Sequence, residues 1–377
     1  MAEQVVPETP APVLANDFRA QWDEIRDDAL AAVDRVGRSG WLVLGDEVAA
    51  FEQAVAEWWG VPHAVGVASG LDALEIALRC AAVGTGDRVL TTPLTAFATT
   101  LAILRAGAEP VWCDVDETGG LDLAAAAEAL TADATIRAVM PVHLYGHPLD
   151  PTGLRRLEQE HGVTVIEDCA QSAGAERDGQ PTGGSGRIAA TSLYPTKNLG
   201  AMGDGGLLLT ADAAVAEQSR MLRNYGQERR YHHVELGLNS RLDELHAAML
   251  RSALLPRLDG WLARRAQVAA RYERELRGTV LKPIRAADGR SAHHLFATEL
   301  LEGDPEAAAS RLSAAGIGVG RHYPFLCPDM PACAGIGVSI GELPVARRLA
   351  ARELSLPLHP QLDDASVERV IAACRSL

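Results

Sequence analysis

The sequence predicts an α/β protein: a mostly parallel, seven-stranded mixed sheet between helices, followed by a smaller C-terminal α+β domain. Three observations point there. Short apolar runs alternate with amphipathic segments from residue 63 to residue 210, the pattern of a parallel sheet covered on both faces. The alternation then stops and long helical patterns take over. The chain has 377 residues, more than one ordinary core accommodates.

The elements follow in order. Residues 1–16 are Pro-rich, with no basic stretch leading into an apolar one, and read as a flexible tail rather than an export signal. Phe18, Trp22, Ile25, Leu30 and Val33 recur at helical spacing over 17–38; Gly40 ends that pattern, and a second helix fits Glu47–Trp59. The strand-like runs are His63–Ala68, Arg88–Thr92, Glu109–Val115, Arg137–His143, Val163–Asp168, Ala189–Tyr194 and Gly206–Thr210. Between most of them lie helical segments: Leu71–Ala82, Thr99–Arg105, Leu123–Leu130 and Thr152–His161. Longer helices are expected over 211–223 and 241–277. The second of these should carry the boundary between a large domain, 17–260, and a small one, 261–377. Short elements are expected there at His294–Leu300, Pro305–Ala315 and Gly318–His322, with a last helix after Asp363.

Composition excludes several classes. Apolar residues make up 47% and charged residues 23%, as in soluble globular chains. The longest apolar runs, such as Thr99–Ala106, stop well short of the roughly 18 residues a membrane helix needs. The six cysteines form no CxxC pair and none neighbours a His at metal-ligand spacing, so a reduced, cytoplasmic, metal-free protein is expected. A net charge of −15 argues against nucleic-acid binding. It also requires that any anionic substrate be held by local donors.

Four motifs offer chemistry, each with a plain structural alternative. Glu167 and Asp168 end a strand at the edge where doubly wound sheets bind ligands; an acid there suits a protonated ring nitrogen, or simply caps a helix. Lys197 sits in the Pro- and Gly-bounded loop Ser192–Gly200. Burial would lower its pKa and free its lone pair, yet an ordinary turn also fits. Ser69-Gly70-Leu71 leads from a strand into a helix whose free N–H groups form a phosphate cradle, or only a capped start. Asn239 or Ser240 caps the next helix, and Asp243 and Glu244 suit its first turn.

Together the segments SGLDAL (69–74), EDCAQSAGA (167–175), SLYPTKNLGAMGDGG (192–206), RNYGQERRYHHVELGLNSRLDE (223–244), RHYP (321–324) and LSLPLHP (354–360) resemble the DegT/DnrJ/EryC1/StrS family of fold-type I, pyridoxal 5'-phosphate-dependent nucleotide-sugar aminotransferases. The resemblance implies that Lys197 bonds the cofactor as a Schiff base and shuttles the proton. It implies that Asp168 pairs with the pyridine nitrogen and Gln171 with the ring hydroxyl. Ser69, Ser192 and the backbone of Gly70 and Leu71 would hold the phosphate. Asn239 would reach the phosphate of the neighbouring subunit's cofactor, which implies a homodimer with shared sites.

The family reaction moves an amine from L-glutamate to a nucleotide-linked keto-sugar. Tyr225, Arg229 with Arg230, Tyr231, His322 and Tyr323 are the candidate substrate contacts, although a solvated basic turn explains the arginines equally well. Asp204 in the Gly-rich turn resembles members that aminate C-3 of TDP-3-keto-deoxyhexoses; amination at C-4 is the alternative. Lys197 argues against the family's dehydratase branch, which has His there. Asp168, Gln171 and Lys197 together argue against a non-catalytic regulatory or partner protein. Two departures stand out. Ala96 occupies the place of a ring-stacking aromatic or His, so that either the ring face is less covered or Phe97 substitutes. Phe325–Met330 replaces a stretch in which many members carry Pro and His.

Overall fold

A computed structural model describes residues 11–377. The seven strands expected between residues 63 and 210 are all present: β1 His63–Val67, β2 Arg88–Thr91, β3 Glu109–Trp112, β4 Ile136–Met140, β5 Thr164–Asp168, then, after the small hairpin β6 Glu176–Arg177 and β7 Gln180–Pro181, β8 Ile188–Ser192 and β9 Gly206–Thr210. Further on lie the hairpin β10 Gln227–Arg229 and β11 His232–His233, then β12 Leu281–Pro283, β13 Phe296–Leu300, β14 Val338–Ser339 and β15 Glu353–Leu356.

The main sheet runs β1-β9-β8-β5-β4-β2-β3-β14. From β8 to β14 all pairings are parallel, while β9 is antiparallel to both its neighbours. The sheet therefore has eight strands, not the expected seven. The extra one, β14, has only two residues, and its side chains are exposed. It is held because Ile340 N–H donates to Trp112 O at 2.8 Å and Gly337, at φ +73°, lets the chain lie against the Trp112 ring. No apolar periodicity marks such a strand.

Alternation along the strands explains the two covered faces. Leu207 and Leu209 pack with helices Phe18–Ser39 and Asp46–Trp59, whereas Leu208 faces the opposite layer with helices Gly70–Cys80 and Ala213–Leu222. Every strand residue of β9 is buried. β5 ends on Asp168, and the loop after β8 carries Lys197.

The long helix expected over 241–277 is broken. It runs as Glu244–Met249, a π-helical turn Leu250–Leu254, a 3-10 turn Leu255–Arg257, and Leu258–Glu275. Pro256 lies within the break and has no N–H to continue the ladder. Beyond it Val268, Tyr272, Phe296, Leu354 and Val370 form a separate core around the sheet β12-β13-β15. We propose the division near residue 260 on that ground. Leu326, Leu343 and Leu349 nevertheless pack onto Leu94, Val142 and Tyr145, so the C-terminal part is fastened to the end of the large sheet.

Two other expectations change. Of the tail expected over 1–16, residues 1–10 lie outside the described residues. Residues 11–16 are docked: Val13 is buried, its N–H donates to Gly316 O and its carbonyl accepts from Gly318 N–H, both at 2.8 Å. Gly318–His322 forms no strand but a single bridge, Gly320 to Ser355. Among the described residues no helix is long and apolar enough to cross a membrane.

Candidate active site

Lys197 lies in the loop between β8 and β9, partly buried. The loop is fixed at several points. Lys197 N–H donates to Tyr194 O at 2.8 Å. Asn198 is buried; its Nδ2 donates to Ala292 O at 2.8 Å, and its Oδ1 lies 3.3 Å from His294 Nδ1. A Cβ at Gly200 would fall 2.4 Å from Pro195 O, so only glycine lets the loop close this tightly. The amine is thereby held in a cavity of about 250 Å³ whose walls include Gln171, His294, His322, Tyr323 and Ser355. Burial lowers the Lys197 pKa to about 8, against the opposing pull of the Asp168 charge.

The two acids at the end of β5 separate into two jobs, because successive side chains point to opposite faces. Glu167 is fully buried and accepts from the N–H groups of Gly183 (3.0 Å), Ser185 (2.8 Å) and Gly186 (2.8 Å), with His143 Nε2 at 2.9 Å. Burial alone would raise its pKa, but His143 and those N–H groups hold it below the usual range. It is an anchor for the loop before β8. His143, Glu167 and Cys169 lie close enough to share an ion, yet the glutamate's oxygens are already filled by these donors.

Asp168 faces the lysine side. Its oxygens accept from Ala170 N–H at 3.0 Å and Thr99 Oγ at 2.9 Å. Burial raises its pKa, while those two bonds and the Lys197 charge pull it down. Gln171 is oriented from both ends: Oε1 accepts from Tyr145 N–H at 2.6 Å, and Nε2 donates to Tyr323 Oη at 3.2 Å. Burial pushes the Tyr323 phenol well up, so it stays protonated.

A second cluster gathers at the start of helix Gly70–Cys80. Ser69 caps it, its Oγ accepting from Asp72 N–H at 3.1 Å. Gly70 lies against Ser192: a Cβ there would come within 2.8 Å of Ser192 Cβ. Ser192 Oγ accepts from Tyr194 N–H at 3.1 Å, which leaves its proton free to donate. Helix start and strand end thus present N–H and O–H groups together, a setting that favours an anion.

Ser240 does not cap the following helix as expected. It donates to Asp72 Oδ2 at 2.7 Å and accepts from Ala68 N–H at 3.0 Å, tying its segment to the same helix start. Glu244 also caps elsewhere, accepting from Gly45, Glu47 and Val48 N–H at the head of helix Asp46–Trp59.

The remaining expected residues are not brought to Lys197. Asn239, Tyr225, Arg229, Arg230 and Tyr231 are exposed. Arg230 lies over the Tyr231 ring at 5.0 Å, and Arg241 over Tyr225 at 5.3 Å. Ala96 precedes helix Phe97–Arg105 and makes no side-chain cap. Phe97 does not take its place, for it packs on Trp112, Cys327 and Cys333. His322 and Tyr323 do line the Lys197 cavity. The sequence reading missed Thr99, Tyr145, His294 and Ser355; each acts on a site residue distant in the chain, and no local pattern marks them.

A model of the DegT/DnrJ/EryC1/StrS aminotransferase family matches residues 23–375. A dTDP-3-amino-3,4,6-trideoxy-alpha-D-glucose transaminase from Streptomyces venezuelae is 42% identical, over 95% of this chain and 94% of its own. A UDP-N-acetyl-3-dehydro-alpha-D-glucosamine 3-aminotransferase from Acidithiobacillus ferrooxidans is 40% identical, over 95% of this chain and 96% of its own. The crystal structure of S. venezuelae DesV in complex with a ketimine intermediate superposes with a TM-score of 0.93 at 41% identity, covering 97% and 98% of the two chains.

Proposed function

The chain belongs to the DegT/DnrJ/EryC1/StrS family and is a sugar aminotransferase; from that premise we propose that it uses pyridoxal 5'-phosphate to carry an amino group from L-glutamate to C-3 of a TDP-linked keto-deoxysugar. The observation that carries the reading is Lys197, held by the loop after β8 in the site cavity and desolvated there, under the opposing charge of the buried Asp168 at the end of β5. The relatives from S. venezuelae and A. ferrooxidans are both named for C-3 amines, one on a dTDP and one on a UDP sugar. This supports the position more strongly than the nucleotide.

The residues fit the cofactor. Each Asp168 oxygen has one partner in the protein, and a carboxylate oxygen accepts more than one hydrogen bond, so a ring N–H can still be received. Gln171 has a second amide proton for a ring hydroxyl. Gly70, Leu71 N–H, Ser69 and Ser192 suit the phosphate. Asn239, exposed on its own subunit, would serve the neighbouring subunit's phosphate in a homodimer. When bound, the cofactor supplies an aldehyde carbon that exchanges amine for ketone and a ring that accepts the electrons of the broken C–H bond.

The chain's own contribution is proton handling and orientation. With a pKa of about 8, Lys197 Nζ can take and return a proton near neutral pH, where general acid–base catalysis works best. Asp168 would hold a proton on the ring nitrogen of the bound cofactor. Tyr145 and Tyr323 prevent Gln171 from turning.

Purified protein supplied with pyridoxal phosphate is expected to show a visible band that moves on adding L-glutamate. Lys197→Ala should abolish the band. The amine-loaded enzyme is then offered TDP-3-keto- or TDP-4-keto-6-deoxyglucose; the original band should return with the 3-ketone. An unmoved wild-type band counts against glutamate as donor, and return with the 4-ketone alone overturns the position.

A further inference from the structure

Behind His322 lies a chain of buried polar groups that the reaction above does not use. Ser355 Oγ donates to Glu353 Oε1 at 2.5 Å and lies 2.9 Å from His322 Nδ1. The other Glu353 oxygen accepts from His322 N–H at 2.5 Å. Glu353 is fully buried and Ser355 is 4% exposed. His322 itself lines the Lys197 cavity, as does Ser355. A Cβ at Gly320 would fall 2.8 Å from His322 Cε1, so the glycine makes room for the imidazole in this pose.

The directions follow from proton counting. A serine hydroxyl has one proton. Burial raises the Glu353 pKa to about 7; above that pH it is a carboxylate that takes the Ser355 proton, so toward His322 the hydroxyl can only accept. Nδ1 must then carry the ring proton. Burial and the Lys197 charge lower the His322 pKa to about 4, so above the Glu353 pKa of about 7 the ring has a single proton, on Nδ1, and Nε2 is a bare acceptor. An acceptor beside the reacting lysine selects a substrate group that donates, such as a sugar hydroxyl.

We propose that Ser355 and Glu353 are positioning residues that hold His322 with Nδ1–H inward and Nε2 as an acceptor for a hydroxyl of the sugar substrate. The substrate half rests on the function proposed above; the positioning half does not. L-Glutamate has no hydroxyl, so its half-reaction should be indifferent to the relay.

The test uses the holoenzyme labelled with 15N-histidine, with His322→Gln assigning the signal. At a pH about one unit or more above the Glu353 pKa of about 7, wild type should show a protonated Nδ1 and a bare Nε2. Ser355→Ala should lose that preference and raise KM for the keto-sugar about tenfold, the size of one lost hydrogen bond, while the glutamate half-reaction changes less than about twofold. Ser355→Thr keeps the hydroxyl and should restore both properties. Glu353→Gln can donate to Ser355 from its amide, reversing the relay and moving the ring proton to Nε2. A wild-type ring protonated at Nε2 at that pH, where Glu353 is ionised, or an unchanged sugar KM in Ser355→Ala, overturns the proposal. If wild type aminates no nucleotide-linked keto-sugar, the assigned reaction fails, while the ring signal, read without substrate, still decides the positioning.

Discussion

Lys197 illustrates what burial does to a single residue. An exposed lysine is an ammonium at neutral pH and has no lone pair with which to attack an aldehyde. Here burial brings the pKa from 10.5 to about 8, with Asp168 opposing part of the shift. The free amine therefore dominates above about pH 8, and the rate of cofactor capture should rise with pH and level off there. His294 and His322 also face Lys197, but burial keeps both neutral across this range. Asp168→Asn removes the charge that favours the ammonium, so the midpoint should move to lower pH. Rapid-mixing absorbance across pH measures this, and a wild-type midpoint near that of a free lysine would rule the account out. The sequence could name Lys197 and Asp168 through the motifs around them. It could not name Thr99, which lies 69 positions before Asp168 and donates to it at 2.9 Å. Nothing local separates that threonine from Thr100 beside it, which lies 3.3 Å from Trp112 Nε1 instead.

At the scale of elements, strands and helices were readable where apolar period and turn residues agreed, as in β1 to β9. Caps were not. Acidic residues at 243 and 244 fit the start of their own helix by local rules, yet Glu244 serves another helix. Helix Asp46–Trp59 begins after Gly45, which has no side chain to cap it. Glu244 fills the gap from the other end of the large domain, accepting from Gly45, Glu47 and Val48 N–H at 2.8, 3.0 and 2.9 Å. It is itself 2% exposed. Removing it leaves those N–H groups without a partner at a buried helix end. Glu244→Ala should therefore cost about 2–4 kcal/mol, from several charge-assisted bonds less some replacement by water. Chemical denaturation measures the loss. Glu244→Gln, which keeps one oxygen acceptor, should cost less. A loss within about 0.5 kcal/mol, as for an ordinary surface substitution, would contradict this cap.

On the scale of the whole molecule, the residues divide between those that converge on Lys197 and those that turn away. Asp168, Gln171, His322 and Tyr323 converge. Asn239 is exposed, and its neighbour Ser240 is bonded to Asp72 at the helix start, so its segment is rigidly presented outward. Nearby in the chain Leu236 is 91% exposed, and Trp41 is 63% exposed beside a bridge that joins Val43 to Asp243. Large apolar side chains left in the open beside an ordered polar group suit a surface covered by a second copy. In a two-fold dimer each site would then combine Lys197 of one subunit with Asn239 of the other. Complementation tests this directly. Lys197→Ala has no reactive amine. Asn239→Asp sets a carboxylate against the phosphate and should be nearly inactive. Mixed by unfolding and refolding together, half the dimers should be hybrids, each with one intact site, giving about a quarter of wild-type activity. If each subunit is complete alone, the mixture stays as inactive as its parents. A quarter of the activity recovered from two inactive proteins requires that the site be built across the dimer.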